Sequence, residues 1–194
     1  MKIVLAAIAA AAFAALFSSP AAAENIACCT VATATPVPSQ TSRNVATADL
    51  NGNLYIAYTT PDNNRTLYIG NVTISNGAWH QRATPAASDI SPSLAVYNNR
   101  LYVAWQQVNS PVFPMCIAQV QMDGFGNPTG LTDVSEFDNY VPYTSPMLAG
   151  GPDGLFVVLT TAGPTGTINY ARVTVQENNR PSNGCGGGSA VSAH

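Results

Sequence analysis

The chain has 194 residues, seven lysines and arginines against ten acidic residues, a formal net charge of −3 and only 9% charged residues. Lys2 is its sole lysine, and Arg43, Arg65, Arg82, Arg100, Arg172 and Arg180 are scattered along it. A nucleic-acid partner needs a concentrated basic stripe and a membrane surface a basic amphipathic helix, so the sequence excludes both classes.

The N-terminus gives Lys2, then an apolar run from Ile3 to Phe17, then Ser18, Ser19, Pro20 and the alanines Ala21 to Ala23. That order of charge, apolar core and small residues predicts a signal peptide over residues 1–23, cleaved before Glu24. The run is shorter than the roughly 20 residues of a spanning helix. The mature chain is therefore expected to be secreted or periplasmic, with no membrane span. In that oxidising setting Cys28, Cys29, Cys116 and Cys185 are expected to form two disulfides. Adjacent cysteines rarely bond each other, so Cys28 and Cys29 each take one of Cys116 and Cys185, with both connectivities open. No C-x-x-C spacing occurs, and His80 and His194 stand outside ligand register, so neither metal nor cofactor is expected. Residues 24–42 form an N-terminal strand segment, of which Ile26 to Thr35 is β-prone.

Residues 43–177 contain one unit three times. Short strands are predicted at Val45 to Asp49, Leu94 to Tyr97 and Met147 to Gly150. Turn signals follow at Asn51-Gly52, Asn98-Asn99 and Asp153-Gly154. Second strands run over Asn53 to Tyr58 (NLYIAY), Arg100 to Trp105 (RLYVAW) and Gly154 to Leu159 (GLFVVL). Third strands run over Ile69 to Thr73, Ile117 to Gln121 and Tyr170 to Thr174. Fourth strands are predicted at Ala78 to Ala83 and Gly130 to Ser135. Leu54, Leu101 and Leu155 are equivalent, as are Val72, Val120 and Val173, which sets a repeat of about 50 residues. The second strands are apolar on both faces, as strands sandwiched between two other sheets must be. No helix-period segment interrupts them. The fold class predicted is all-β: three propeller-blade-like repeats of antiparallel strands, a half or partial β-propeller, followed by a Gly/Asn-rich tail at 178–194.

The stretch SPSLAVYNNRLYVAW and the hairpin Asn76-Gly77-Ala78-Trp79 resemble the repeat of sialidase-like and lectin-like β-propellers, the hairpin being similar to an Asp-box without its aspartate. The resemblance covers Arg43 to about Val175 and implies a carbohydrate ligand. A sialidase would also need an arginine trio and a Tyr/Glu pair. The acidic candidates Glu136, near Tyr140, and Glu177 read as solvated loop residues, so no catalytic residue is assigned.

The candidate ligand site is the rim just past each second strand, where Tyr58, Trp105, Gln106 and Gln107 combine an aromatic with neutral hydrogen-bonding groups. Trp79, Arg82 and Arg65 are expected to complete pockets between blades, and Arg100 and Arg172 to edge the sheets. Asp49 to Asn53 and Asp123 to Asn127 resemble calcium loops but lack the bidentate glutamate, and read as turns. Asn64 and Asn71 begin glycosylation sequons. The expected function is a secreted, non-catalytic, lectin-like module with a glycan or protein ligand. The alternatives are a structural or protein-interaction module and, third, a degenerate glycosidase. Three blades leave two open faces, so a homodimer is expected, with Ile26 to Thr35 as the outer strand of the third blade.

Overall fold

The computed structural model describes residues 25–26, 29–30, 39, 41, 43–73, 76–108, 113–137, 144–161 and 166–174. The signal peptide, Cys28, Cys185 and the 178–194 tail lie outside the described residues. Among the described residues there are thirteen strands and no helix.

β1 (Asn25–Ile26) and β2 (Cys29–Thr30) pair only with each other, Asn25 opposite Thr30 and Ile26 opposite Cys29. Of the segment Ile26 to Thr35 expected as the outer strand of the third blade, Ile26, Cys29 and Thr30 pair within this hairpin, and residues 31–35 lie outside the described residues. The repeat unit begins at Ser39 as a separate compact body.

Three antiparallel sheets follow. The first is β3 (Ala46–Leu50), β4 (Asn53–Thr59), β5 (Thr66–Thr73) and β6 (Ala78–Ala87). The middle sheet is β7 (Ser93–Tyr97), β8 (Arg100–Gln106), β9 (Met115–Met122) and β10 (Pro128–Phe137). The third has only β11 (Met147–Gly151), β12 (Gly154–Thr161) and β13 (Thr167–Val173). In every sheet the strands neighbour one another in chain order, and no sheet is closed. Asn51 and Gly52 at φ 54° and 75°, and Asn98 and Asn99 at 48° and 57°, make the first two β-turns. Positive φ at both central positions matches the right-handed strand twist, which is why Asn and Gly occupy them.

Two cores hold the sheets together. Leu101, Val103, Trp105, Cys116, Ala118 and Val120 face the first sheet and meet Tyr55, Ala57, Leu67 and Ile69. Ala95, Tyr102, Ala104, Met115 and Ile117 face the third sheet and meet Leu148, Leu155, Val157 and Leu159. The middle sheet is therefore covered on both faces, as the unbroken apolar run Leu101–Trp105 requires. Each fully buried large side chain contributes about 1.5–3 kcal/mol.

Polar contacts set the stacking. The Tyr55 hydroxyl donates to the Gly126 carbonyl at 2.8 Å, and the Leu148 amide donates to Ser93 Oγ at 2.8 Å. β11 comes so close to β7 that a Cβ on Gly150 would overlap the Val96 carbonyl. Cys116 is fully buried in β9 and disulfide-bonded. No cysteine pair is seen among the described residues, because the other three cysteine side chains fall outside them.

Candidate functional site

Trp105 is not on a rim. Its ring is 0% exposed in the core between the first and middle sheets, and its indole N–H donates to Gln107 Oε1 at 2.9 Å. The same oxygen accepts the Ala87 amide at 3.4 Å, and Gln107 bridges to Ser88, so strand pairing continues past the expected end of β8. Gln106 and Gln107 are themselves buried. These residues fasten β6 to β8 and leave no aromatic face for a sugar.

Tyr58 is also buried. Its ring stacks on Tyr68 at 5.6 Å, and its hydroxyl bonds Ser39 Oγ at 3.0 Å and the Gln81 amide oxygen. Burial raises the Tyr58 phenol above its ordinary pKa, the bond to Ser39 opposing it. Trp79 and Arg82 lie on opposite faces of β6, across from Val72 and Ile69 respectively, and do not share a pocket. The Trp79 ring folds over Gly70, which has no Cβ to block it, and its Nε1 is buried without a partner among the described residues. Arg65, at φ 51°, pairs with Asp89 at 2.5 Å. That ion pair borders a shallow polar basin lined by Arg43, Asn44, Asp89, Ile90, Ser91, Thr144 and Ser145, where the first strand of each sheet begins.

The two sequence features read as turns have that geometry. Asp123 Oδ1 accepts the amides of Phe125 and Asn127, both at 2.8 Å, and Oδ2 accepts the Asn127 side chain at 3.0 Å. The bonds from Asn127 hold the Asp123 carboxyl below its usual pKa, and its oxygens are occupied in shaping the turn. Asn71 is fully buried in β5, closed to a modifying enzyme in the folded chain, whereas Asn64 sits exposed in a loop.

A cleft of about 560 Å³ opens where the middle and third sheets meet, beside the β7–β8 turn. Tyr97, Asn98, Arg100, Tyr102, Arg172, Val173 and Thr174 line it. Arg100 is held across the sheet by a bond to Gln119 at 3.1 Å. The rings of Tyr97 and Tyr102 lie 6.5 Å apart, tilted by 47°. Burial raises the Tyr102 phenol, and the nearby Arg100 guanidinium opposes that rise. No carboxylate is among the described lining residues. Glu136 lies elsewhere, opposite Cys116 in β10. The cleft thus brings the Arg100 guanidinium beside two phenol rings and a side-chain amide, a set suited to holding an anion against an aromatic surface, while Arg172, opposite Phe156, borders it with its guanidinium lying over Gly154. The sequence placed Arg100 and Arg172 at sheet edges without joining them. Their one signal was proximity to the Asn98-Asn99 turn and to the end of the last repeat strand.

No family model matches the chain, and neither the curated proteins nor the solved structures provide a match. The class its fold defines is an all-β chain of three stacked antiparallel sheets.

Proposed function

We propose that the chain is a secreted, non-catalytic binding protein of partial β-propeller type, whose ligand is a carbohydrate bearing a carboxylate. The observation that carries this reading is the cleft between the middle and third sheets, where the Arg100 guanidinium accompanies Tyr97, Tyr102 and Asn98. A guanidinium is a planar fork that matches a carboxylate through two parallel hydrogen bonds. A phenol ring offers an apolar surface to a sugar's C–H face, and an amide serves both its hydroxyl donors and acceptors. Such a site differs from the rim set of Tyr58, Trp105, Gln106 and Gln107, whose side chains are committed to packing.

Calorimetric titration with acidic and neutral oligosaccharides tests this reading. An acidic sugar should bind, and Arg100→Gln or Tyr97→Ala should weaken it at least tenfold while the circular dichroism spectrum stays unchanged. Equal affinity for neutral analogues, with no effect of Arg100→Gln, would refute the carboxylate. Protein-interaction is the second reading. It is favoured by the exposed apolar residues Met147, Ile168 and Tyr170 on the third sheet.

A further inference from the structure

The three sheets stack in one direction, and the repeat makes this explicit. Call the leading face of each sheet the one that packs against the preceding sheet. In the middle sheet it carries Leu101, Val103, Trp105, Ala118 and Val120, and in the third sheet Leu155, Val157, Leu159, Ala171 and Val173. The equivalent positions of the first sheet are Leu54, Ile56, Tyr58, Gly70 and Val72, and among the described residues no other sheet packs on them. The trailing face carries Tyr55, Ala57, Leu67 and Ile69 in the first sheet, and Tyr102, Ala104, Met115 and Ile117 in the middle one. Its equivalents in the third sheet are Phe156, Val158, Ile168 and Tyr170, and among the described residues no other sheet packs on them.

The open trailing face is apolar where its counterpart is closed. Ile168 and Tyr170 are 74% and 79% exposed, against 1% and 2% for Met115 and Ile117 at the same positions one repeat earlier. Met147 adds a further exposed side chain to the same face, opposite Val158. On the leading face of the first sheet Leu54, Ile56 and Val72 are only partly buried, whereas Leu101, Val103 and Val120 are buried; Tyr58 and Gly70 on that face are covered by the sheet's own Tyr68, Gln81 and Trp79. Every joint within the chain sets a trailing face on a leading face. Among the described residues, one face of each kind meets no other sheet.

We propose that the third sheet of one chain docks by its trailing face on the leading face of the first sheet of a second copy, and that a two-fold axis repeats the joint. The two open faces of each chain are then consumed together, giving a closed assembly of six sheets from two chains. Continuity selects this occupant: the missing successor of the third sheet must present a leading face, and the first sheet of another copy presents one of the same repeat. Among the described residues the two core clusters hold no joint between first and third sheets of one chain. This pairing is independent of any ligand in the cleft.

The test is light scattering and sedimentation velocity on protein purified with its native N-terminus, over a hundredfold range of concentration. The wild-type chain should run at twice its monomer mass. Ile168→Lys on the trailing face and Thr47→Arg on the leading face should each weaken association at least tenfold, with unchanged circular dichroism because both positions are exposed. Phe125→Lys, on the turn after β9 and on neither face, should leave the dimer intact. A monomeric wild type overturns the proposal. So does a dimer that survives Thr47→Arg, since that would pair third sheet with third sheet, and so does one that survives Ile168→Lys.

Discussion

Replacing Trp105 with alanine should unfold the joint between the first and middle sheets rather than remove a ligand contact. The ring is wholly enclosed, and its N–H supplies the shorter of the two hydrogen bonds to Gln107 Oε1. Truncating a buried tryptophan to alanine costs about 3–5 kcal/mol, a large part of the 5–15 kcal/mol that holds a typical domain. For a body of this size that corresponds to a fall in Tm of roughly 10–20 °C. Trp105→Phe separates the two contributions. It keeps most of the ring but withdraws the donor, leaving Gln107 with the long bond from Ala87, and should cost about 1–3 kcal/mol. Both variants would be followed by thermal and urea unfolding, monitored by circular dichroism and by Trp79 fluorescence. If Trp105→Ala kept the wild-type Tm and lost only ligand affinity, the ring would be a surface contact and the packing described here would be wrong.

Gly150→Ala should destabilise by about 3 kcal/mol, the upper end for overpacking, because the obstructing atoms are Val96 backbone and cannot rotate away; hydrogen exchange should rise first in β11, and unchanged protection there would refute the close approach. Asn71 is buried with neither amide atom hydrogen-bonded among the described residues. Asn71→Val should therefore raise the urea midpoint, by about 1 kcal/mol of stability, and a lower midpoint would show that the amide is satisfied. Burial raises the phenols of Tyr55, Tyr58 and Tyr102, so the fold favours their neutral forms. Their contribution is complete below the unfolded value of about 10 and is lost as pH climbs through the higher folded values. Phenolate absorbance should accordingly lag that of the unfolded chain, with Tm falling across the same range, and simultaneous titration of all the tyrosines near pH 10 in the folded protein would contradict this.

The repeat was legible because two local signals coincide in each copy. Asn51-Gly52 and Asn98-Asn99 demand tight turns, and the strands after them carry apolar residues on both faces over Leu54–Tyr58 and Leu101–Trp105, a pattern that points to a strand covered on both sides. Strand ends were less legible. β6 and β10 run on to Ala87 and Phe137, beyond the expected Ala83 and Ser135, because tertiary contacts extend the pairing: Thr84 Oγ1 donates to the Leu67 carbonyl and the Ser88 amide to the Arg65 carbonyl. The same extension carried Gln106 and Gln107 inside. A sequence period shows that Trp105 belongs to an apolar strand, but not that Ala87 and Gln107 close over its end. The cleft was hidden for a related reason. Tyr97 and Arg172 come from different sheets, and the way those sheets stack, fixed in part by the lack of a side chain at Gly150, decides that they meet.

The strand order also bears on how quickly the chain can fold. Among the described residues each strand pairs with the one just before or after it, so every ladder closes through a single hairpin, and the longer excursions are those that bring successive sheets together. A Greek-key sandwich of equal length must instead close distant strands within one ladder, and non-local pairing slows folding steeply. Here the hairpins form locally, on a scale of about 1–10 μs. The rate-limiting event is then the meeting of preformed sheets, and the middle sheet, which takes part in both meetings, is where core substitutions should slow folding most.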